Sequence, residues 1–508
     1  MDPSPPVLWG KVLDQSRCIG CHACSTACKS ENEVPLSVNR TYVKAVEVGM
    51  FPQVRRSFQV TRCNQCDNPP CVSACPTAAM FRRPDGIVDF DKSACIGCKA
   101  CIAACPYDAI FINPEDHSAE KCNFCAHRLE VGLEPACVVV CPVEAISVGN
   151  LLDPSSRVAQ VVARQPTSVR RPEKQTLPKV FYVGAASATL DPLAARRPEG
   201  SLYMWSEQPT GPQEVGAGAP AGWNSSANAL LAYDVSHRAP WDWRVSLYTW
   251  TKGIAAGAYL IPLLLLLAGR VGLSSPLWLW AAPVLGGLFL ALTGAILVMD
   301  LEHPERFIYI FLRPQWKSWL VRGGVIISLY GLGLGAHFLA ALLGATEFLR
   351  PLAWVLAPLS ILTAVYTAYL FAQAKARDLW QSPLLAPHLL VQAGYLGAAA
   401  SLLAAALLAP GVVAPLALWL AALGALHLLL VVAETTTPAV SAHAHLAHQE
   451  MIQGRFRRWF WAGVALALVS LVAPLLGPWA PALALPALLA VLAHEHAFVQ
   501  AGQSVPLA

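Results

Sequence analysis

"CIGCHACSTACKS", residues 18–30, sets Cys18, Cys21, Cys24 and Cys28 in the spacing C-x2-C-x2-C-x3-C. The same spacing returns at Cys95, Cys98, Cys101 and Cys105. Two variants complete the pattern. Cys63, Cys66, Cys71 and Cys75 widen one gap to four residues, and Cys122, Cys125, Cys137 and Cys141 widen one to eleven. Proline follows the last cysteine of three runs, at Pro76, Pro106 and Pro142. All 16 cysteines belong to these runs, and none follows Cys141.

Closely spaced C-x2-C pairs are badly placed for bridging one another, and no secretory signal precedes them, so a disulfide framework is a poor reading. Zinc ribbons use C-x2-C pairs, not runs of four ending in Cys-Pro. Runs of four with a terminal Cys-Pro are the ferredoxin spacing, in which the fourth thiolate serves a neighbouring iron–sulfur cluster. Sixteen ligands divide into four sets of four with none missing, which predicts four [4Fe–4S] clusters and no three-iron centre. Short helical turns are expected to carry the first three ligands of each run. Gly20, Ala23, Gly97 and Ala100 leave room between them for the inorganic sulfurs.

Beyond the cysteines the chain changes character. Of its 508 residues 55% are hydrophobic and 13% charged, with a mean hydropathy of +0.46; soluble proteins carry roughly 25% charged residues. The net charge of +4 is small and shows no clustered basic face, so nucleic acid is excluded as a partner. Residues 151–240 are rich in breakers and hold one strand-like run, "KVFYVG". Phe181, Tyr182, Tyr203, Trp205 and Trp223 are costly to leave in water, so this stretch reads as a partly ordered strap rather than a free tether. From about residue 241 eight apolar runs follow, each near the roughly 20 residues that cross a bilayer. Twelve Lys and Arg, from Arg238 to Arg458, flank one set of ends, against Arg270 and Arg350 at the other. By the positive-inside rule the cysteine module faces the cytoplasm and the protein is a multi-pass protein of the cell inner membrane.

The four-run order resembles the four-cluster electron-transfer subunits of molybdopterin oxidoreductases of the dimethyl sulfoxide and polysulfide reductase type, over roughly residues 8–190. The resemblance implies that the first and fourth runs pair, as do the second and third. Cys18, Cys21 and Cys24 would then share a cluster with Cys141, and Cys28 would join Cys122, Cys125 and Cys137. Cys63, Cys66 and Cys71 would join Cys105, and Cys75 would join Cys95, Cys98 and Cys101. It also implies that the first pair lies toward a separate molybdopterin catalytic subunit and the second toward the membrane. "WDWRVSLYTWTKGIAAG" (241–257), "DLEHPERF" (300–307) and "DLWQSP" (378–383) resemble the NrfD/polysulfide-reductase membrane subunits, thought of as two four-helix bundles. The expected architecture is an α+β double-ferredoxin-like module (1–150), the strap (151–240) and an all-α eight-helix transmembrane domain (241–508).

Electrons from clusters need a membrane partner, either haem b or a quinone (menaquinone or ubiquinone). Haem needs paired histidines; His337 and His427 are the in-span candidates, with His388 at a helix start. Quinone chemistry needs a polar pair that exchanges protons. Tyr248 and Lys252 stand one turn apart, and Asp300, Glu302 and Arg306 follow the second run. The resembled family points to Tyr248 as the hydrogen-bond partner of a quinone carbonyl. Snorkelling to lipid headgroups is the plain alternative for Lys252 and Arg306. His427 and Glu434 fall seven residues apart on one face and suggest a proton path, unless Glu434 merely caps its helix. His443, His445 and His448 fall in an expected loop. The reading is a quinone-reactive electron-transfer subunit. Its rivals are a redox-driven proton-translocating module and a haem-b or passive membrane anchor.

Overall fold

The computed structural model describes residues 6–50, 52–196 and 229–508. Tyr203, Trp205 and Trp223 of the expected strap lie outside the described residues.

The cysteine module is built on a local repeat. In three runs the last cysteine opens Cys-Pro-x-x-Ala, and a strand begins one residue later: Met80–Arg82, Ile110–Ile112 and Ile146–Asn150. The residue before the alanine takes positive φ each time, at Ala78, Asp108 and Glu144. That turn returns the backbone over the thiol, so that Met80 N donates to Cys75 Sγ at 3.4 Å and Ala145 N to Cys141 Sγ at 3.2 Å. A second left-handed residue precedes the second cysteine of every run, at Gly20, Gln65, Gly97 and Phe124. This corrects the expectation that helical turns carry the first three ligands. The first two stand on a left-handed loop, and a helix supplies the third in each of the first three runs, from Ala23–Glu31, Pro70–Ala74 and Ala100–Ala104.

A four-stranded sheet covers one side, in the order Ile146–Asn150, Trp9–Asp14, Val180–Val183, Thr167–Ser168. The "KVFYVG" run supplies Val180–Val183, parallel to Trp9–Asp14. A three-stranded sheet joins Leu230–Tyr233, just before the membrane domain, to Thr41–Met50 and Gln53–Arg62. Thr167–Ser168, Val180–Val183 and Leu230–Tyr233, all after residue 150, therefore belong to the module's own sheets.

Among the described residues, eight helices are long and apolar enough to cross a membrane: Trp243–Leu267, Leu277–Met299, Trp319–Leu342, Thr346–Gln373, Leu385–Leu408, Pro410–Thr436, Arg457–Leu475 and Gly477–Gly502, here spans 1 to 8. Spans 1–4 pack as one four-helix bundle and spans 5–8 as a second. Spans 1 and 5 join them. A Cβ at Gly257 would lie 1.8 Å from Ala393 O, and one at Gly397 2.2 Å from Gly257 C, so only glycine allows this backbone contact. Burial follows from that crossing. Of the apolar stretch of span 1, 78% is buried within the protein, against 22% for span 3, which turns its leucines to lipid.

The module sits on the ends of these helices through its third cysteine run. Backbone carbonyls there accept from the membrane domain: Cys98 O from Trp241 Nε1 at 3.2 Å, Ile96 O from His303 N at 3.2 Å, and Cys95 O from Arg306 at 3.1 Å. The second run adds Pro76 O from Gln315 N at 2.8 Å and Ala74 O from Ser318 Oγ at 2.8 Å. Gly97 is the closest approach, since a Cβ there would lie 2.4 Å from Glu302 Cβ.

Candidate functional site

The cysteines gather across runs, not within them. Cys75, Cys95, Cys98 and Cys101 line one cavity beside Pro76, Met80 and Phe90. Cys28, Cys122, Cys125 and Cys137 line another, closed by Lys11, Asn32 and Arg62. Cys66 and Cys71 face Cys63 and Cys105, and Cys18 faces Cys21 and Cys141. Cys24 neighbours Cys18 and also Cys137 of the adjoining set. All sixteen thiols are free of disulfides.

The chemistry of this donor set fits iron–sulfur ligation. Burial pushes Cys28, Cys66 and Cys105 up to about 12. Thiols so crowded and buried ionise only against bound cations, so cluster binding and deprotonation go together. Cys137 differs: burial raises it, but the nearby cations Lys11 and Arg62 bring it down to about 7. Arg62 lies 3.0 Å and Lys11 3.7 Å from its Sγ. Main-chain N–H groups of Gln65 and Gly97 point at Cys63 and Cys95 at 3.5 and 3.4 Å. Such donors offset the charge that four thiolates bring to a buried cluster.

Beneath the third run the membrane domain is polar. Lys252 is fully buried; its Nζ donates to Ala364 O at 2.7 Å and Thr367 Oγ1 at 2.9 Å and lies 4.9 Å from the Tyr366 ring centroid. It does not snorkel, because its side chain points into the bundle. Tyr248, one turn nearer the module, is buried against the same Thr367. It belongs to one buried core with Ala74, Ala100 and Ala103 from the helices of the second and third cysteine runs, and with Trp241 and Trp380. Glu495 of span 8 closes the far side, beside Thr249, Lys252 and Gln392.

Asp300, Glu302 and Arg306 have a different place. Lys99 of the third run pairs with Glu302 at 2.9 Å and approaches Asp300 at 3.9 Å. Arg306 bonds the Lys92 and Cys95 carbonyls. These residues dock the module; Arg306 does not reach for headgroups. Burial raises Asp300 to about 6, with Lys99 and Arg244 opposing.

His427 and Glu434 come together only through His388. His388 Nδ1 meets Glu434 Oε2 at 2.9 Å, and His388 Nε2 meets His427 Nδ1 at 2.9 Å. Span 6 runs on to Thr436, so Glu434 is not its cap. His337 packs against Tyr259 and Trp278 in the first bundle, whereas His427 packs against His388 and His494 in the second, so the two do not face each other as a haem pair would. His443, His445 and His448 lie on a helix, Ala442–Ile452, not in a loop, and His443 contacts Arg171 at 3.1 Å. Sequence reading left His388 unassigned within the proton path and gave His494 and Glu495 no role. The only hint was three ionisable residues close to span ends.

Comparison with known proteins divides at the same seam. Residues 54–151 match the 4Fe-4S dicluster domain, and residues 233–504 match "Polysulphide reductase, NrfD". The chain is 44% identical over 212 residues to a tetrathionate reductase subunit of Salmonella typhimurium, covering 40% of this chain and 82% of that protein. It is 45% identical over 178 residues to a polysulfide reductase subunit of Wolinella succinogenes, covering 34% and 93%. It is 38% identical over 224 residues to a putative dimethyl sulfoxide reductase iron-sulfur subunit of Halobacterium salinarum, covering 38% and 86%.

Proposed function

The chain belongs to the polysulphide reductase NrfD family, fused to an iron–sulfur dicluster module, and from that premise we propose that it relays electrons between a molybdopterin-containing catalytic subunit and the quinone pool. It is a multi-pass membrane iron–sulfur subunit, and its relatives are reductase subunits. On this reading four [4Fe–4S] clusters are held by Cys18, Cys21, Cys24 and Cys141; by Cys28, Cys122, Cys125 and Cys137; by Cys63, Cys66, Cys71 and Cys105; and by Cys75, Cys95, Cys98 and Cys101. When bound, the clusters pass electrons one at a time.

One observation carries the reading: Cys98, of the Cys75, Cys95, Cys98 and Cys101 set, is bonded through its carbonyl to Trp241 at the entry to span 1, and Tyr248 of that span shares one buried core with Ala74, Ala100 and Ala103 of the second and third runs, with Lys252 buried one turn on. Buried ionisable groups inside a membrane domain are costly and favour a functional assignment. Tyr248 would donate to a quinone carbonyl, and Lys252 would hold positive charge beside it. Asp300, Glu302 and Arg306 would hold the module over that pocket. Exposed Ile19, Val139 and Val140 beside the opposite set of cysteines offer an apolar face to the catalytic subunit. The Lys- and Arg-rich ends lie on the module's side, which favours a cytoplasmic module on an inner membrane.

The test is anaerobic. The purified chain is reduced with dithionite and mixed with a soluble menaquinone or ubiquinone analogue. Recovery of the oxidised cluster absorbance is expected. Clusters that stay reduced would exclude a quinone-reactive subunit.

A further inference from the structure

A row of ionisable side chains runs from the surface to the pocket under the clusters. It begins at exposed His445 on the Ala442–Ile452 helix, beside half-buried His448, which faces Glu434. Glu434 uses one carboxylate oxygen toward His388; the other, Oε1, is buried and has no hydrogen-bond partner in the protein. Ligand-type atoms of His388, Glu434 and His494 all lie within 4.8 Å of one another. Glu495, next in sequence to His494, faces His388 on one side and Lys252 on the other. The row thus crosses from the second four-helix bundle into the first.

Resting on the quinone reading above, we propose that His445, His448, Glu434, His388, His494 and Glu495 carry protons between the aqueous face on the module's side and the quinone pocket at Tyr248 and Lys252. His388 is built for this. Its Nδ1 lies 2.9 Å from the Glu434 carboxylate and its Nε2 2.9 Å from His427 Nδ1. A ring held at both nitrogens takes a proton at one and releases it at the other. His427, which holds that second nitrogen, adjoins the row: its ring lies 5.2 Å from that of His494 and 5.9 Å from that of Tyr395. The balance is simple. A quinone takes two electrons from the cysteine-held clusters and two protons from this row, giving the quinol, and the reverse step returns both. The ionisable groups facing the row are His427 on span 6 and Lys252 and Tyr248 on span 1.

The test uses the full chain with its clusters, stopped-flow mixing with the soluble quinone across pH 6–9, and equilibrium binding of a non-reducible quinone analogue. His388→Gln and Glu434→Gln should slow cluster reoxidation by about tenfold or more, the usual reach of a lost proton carrier. Analogue affinity should stay unchanged, the deficit should grow with pH, and added imidazole or azide should restore the rate. Unchanged rates and pH profiles in both variants would overturn the relay while leaving the quinone reading intact. So would a stoichiometric metal ion lost on His388→Gln, or a loss of rate explained wholly by lost analogue binding. A wild-type protein whose clusters the quinone cannot reoxidise would instead bring down the underlying reading, and the relay with it.

Discussion

Trp241 gives its indole N–H to the carbonyl oxygen of Cys98 at 3.2 Å. The same ring stacks on Trp380 at 5.5 Å, and Trp380 on Phe371 at 4.6 Å. The residue leading into span 1 is thereby fixed to a cysteine loop on one side and to the helix-end core on the other. The cysteine set and Tyr248 belong to one packed unit, so changes at either are expected to be felt by the other.

Cys98→Ala removes one of four thiols from the set nearest the membrane. Iron content should fall by one to four atoms per chain, with a three-iron paramagnetic signal if the remaining thiolates keep a cluster. Reoxidation by quinone should drop in parallel, while the set holding Cys18 keeps its signal. Electron paramagnetic resonance of the oxidised and reduced protein reads both.

Lys252→Met replaces a fully buried amine with a side chain of similar length. It leaves Thr367 Oγ1 and the facing Glu495 without this partner, and removing one member of a buried polar set is destabilising. The thermal midpoint should therefore fall, the iron content should not change, and quinone-dependent reoxidation should drop. An undiminished rate would make Lys252 a structural tie between spans 1 and 4.

His237 bonds Asp108 at 2.5 Å and Asp234 at 3.1 Å, joining the Cys105 loop to the lead-in of span 1. Burial lowers its proton affinity, but the two carboxylates more than reverse this and raise it to about 9. The unfolded value is about 6.5. The folded protein therefore holds a proton that the unfolded chain releases. This stabilisation, roughly 3 kcal/mol at most, is complete below pH 6.5 and lost as pH rises through 9. A thermal-unfolding series across pH 6–10 should show the decline, and His237→Gln should flatten it.

Gly257→Ala puts a methyl group 1.8 Å from Ala393 O, where spans 1 and 5 cross. Forcing these backbones apart should cost about 3 kcal/mol, visible as reduced yield and a lower thermal midpoint in detergent. Gly287→Ala, where a Cβ meets nothing within 4 Å, should behave as the parent.

The cysteine runs and the eight apolar stretches were readable because each is a local pattern. Ligand spacing and bilayer thickness are imposed on consecutive residues. The Cys-Pro-x-x-Ala repeat at Cys75, Cys105 and Cys141 was equally local and could have marked the strand starts. Docking was not readable. Arg306 seemed free to meet lipid, yet it bonds cysteine-loop carbonyls more than 200 positions away. Lys252 lies among mainly apolar neighbours in sequence, and only the packing of span 4 supplies its partners. His388, Glu434 and His494 come from three different spans, and no periodicity within one helix could have assembled them.

Tyr248→Phe tests the central claim most directly. The ring is kept and only the hydroxyl is lost, so clusters and fold should be those of the parent. Single-turnover reoxidation of the dithionite-reduced clusters by a soluble quinone should slow by about tenfold or more, with weaker binding of the quinone analogue. A rate and an affinity identical to the parent's would contradict a quinone site at Tyr248.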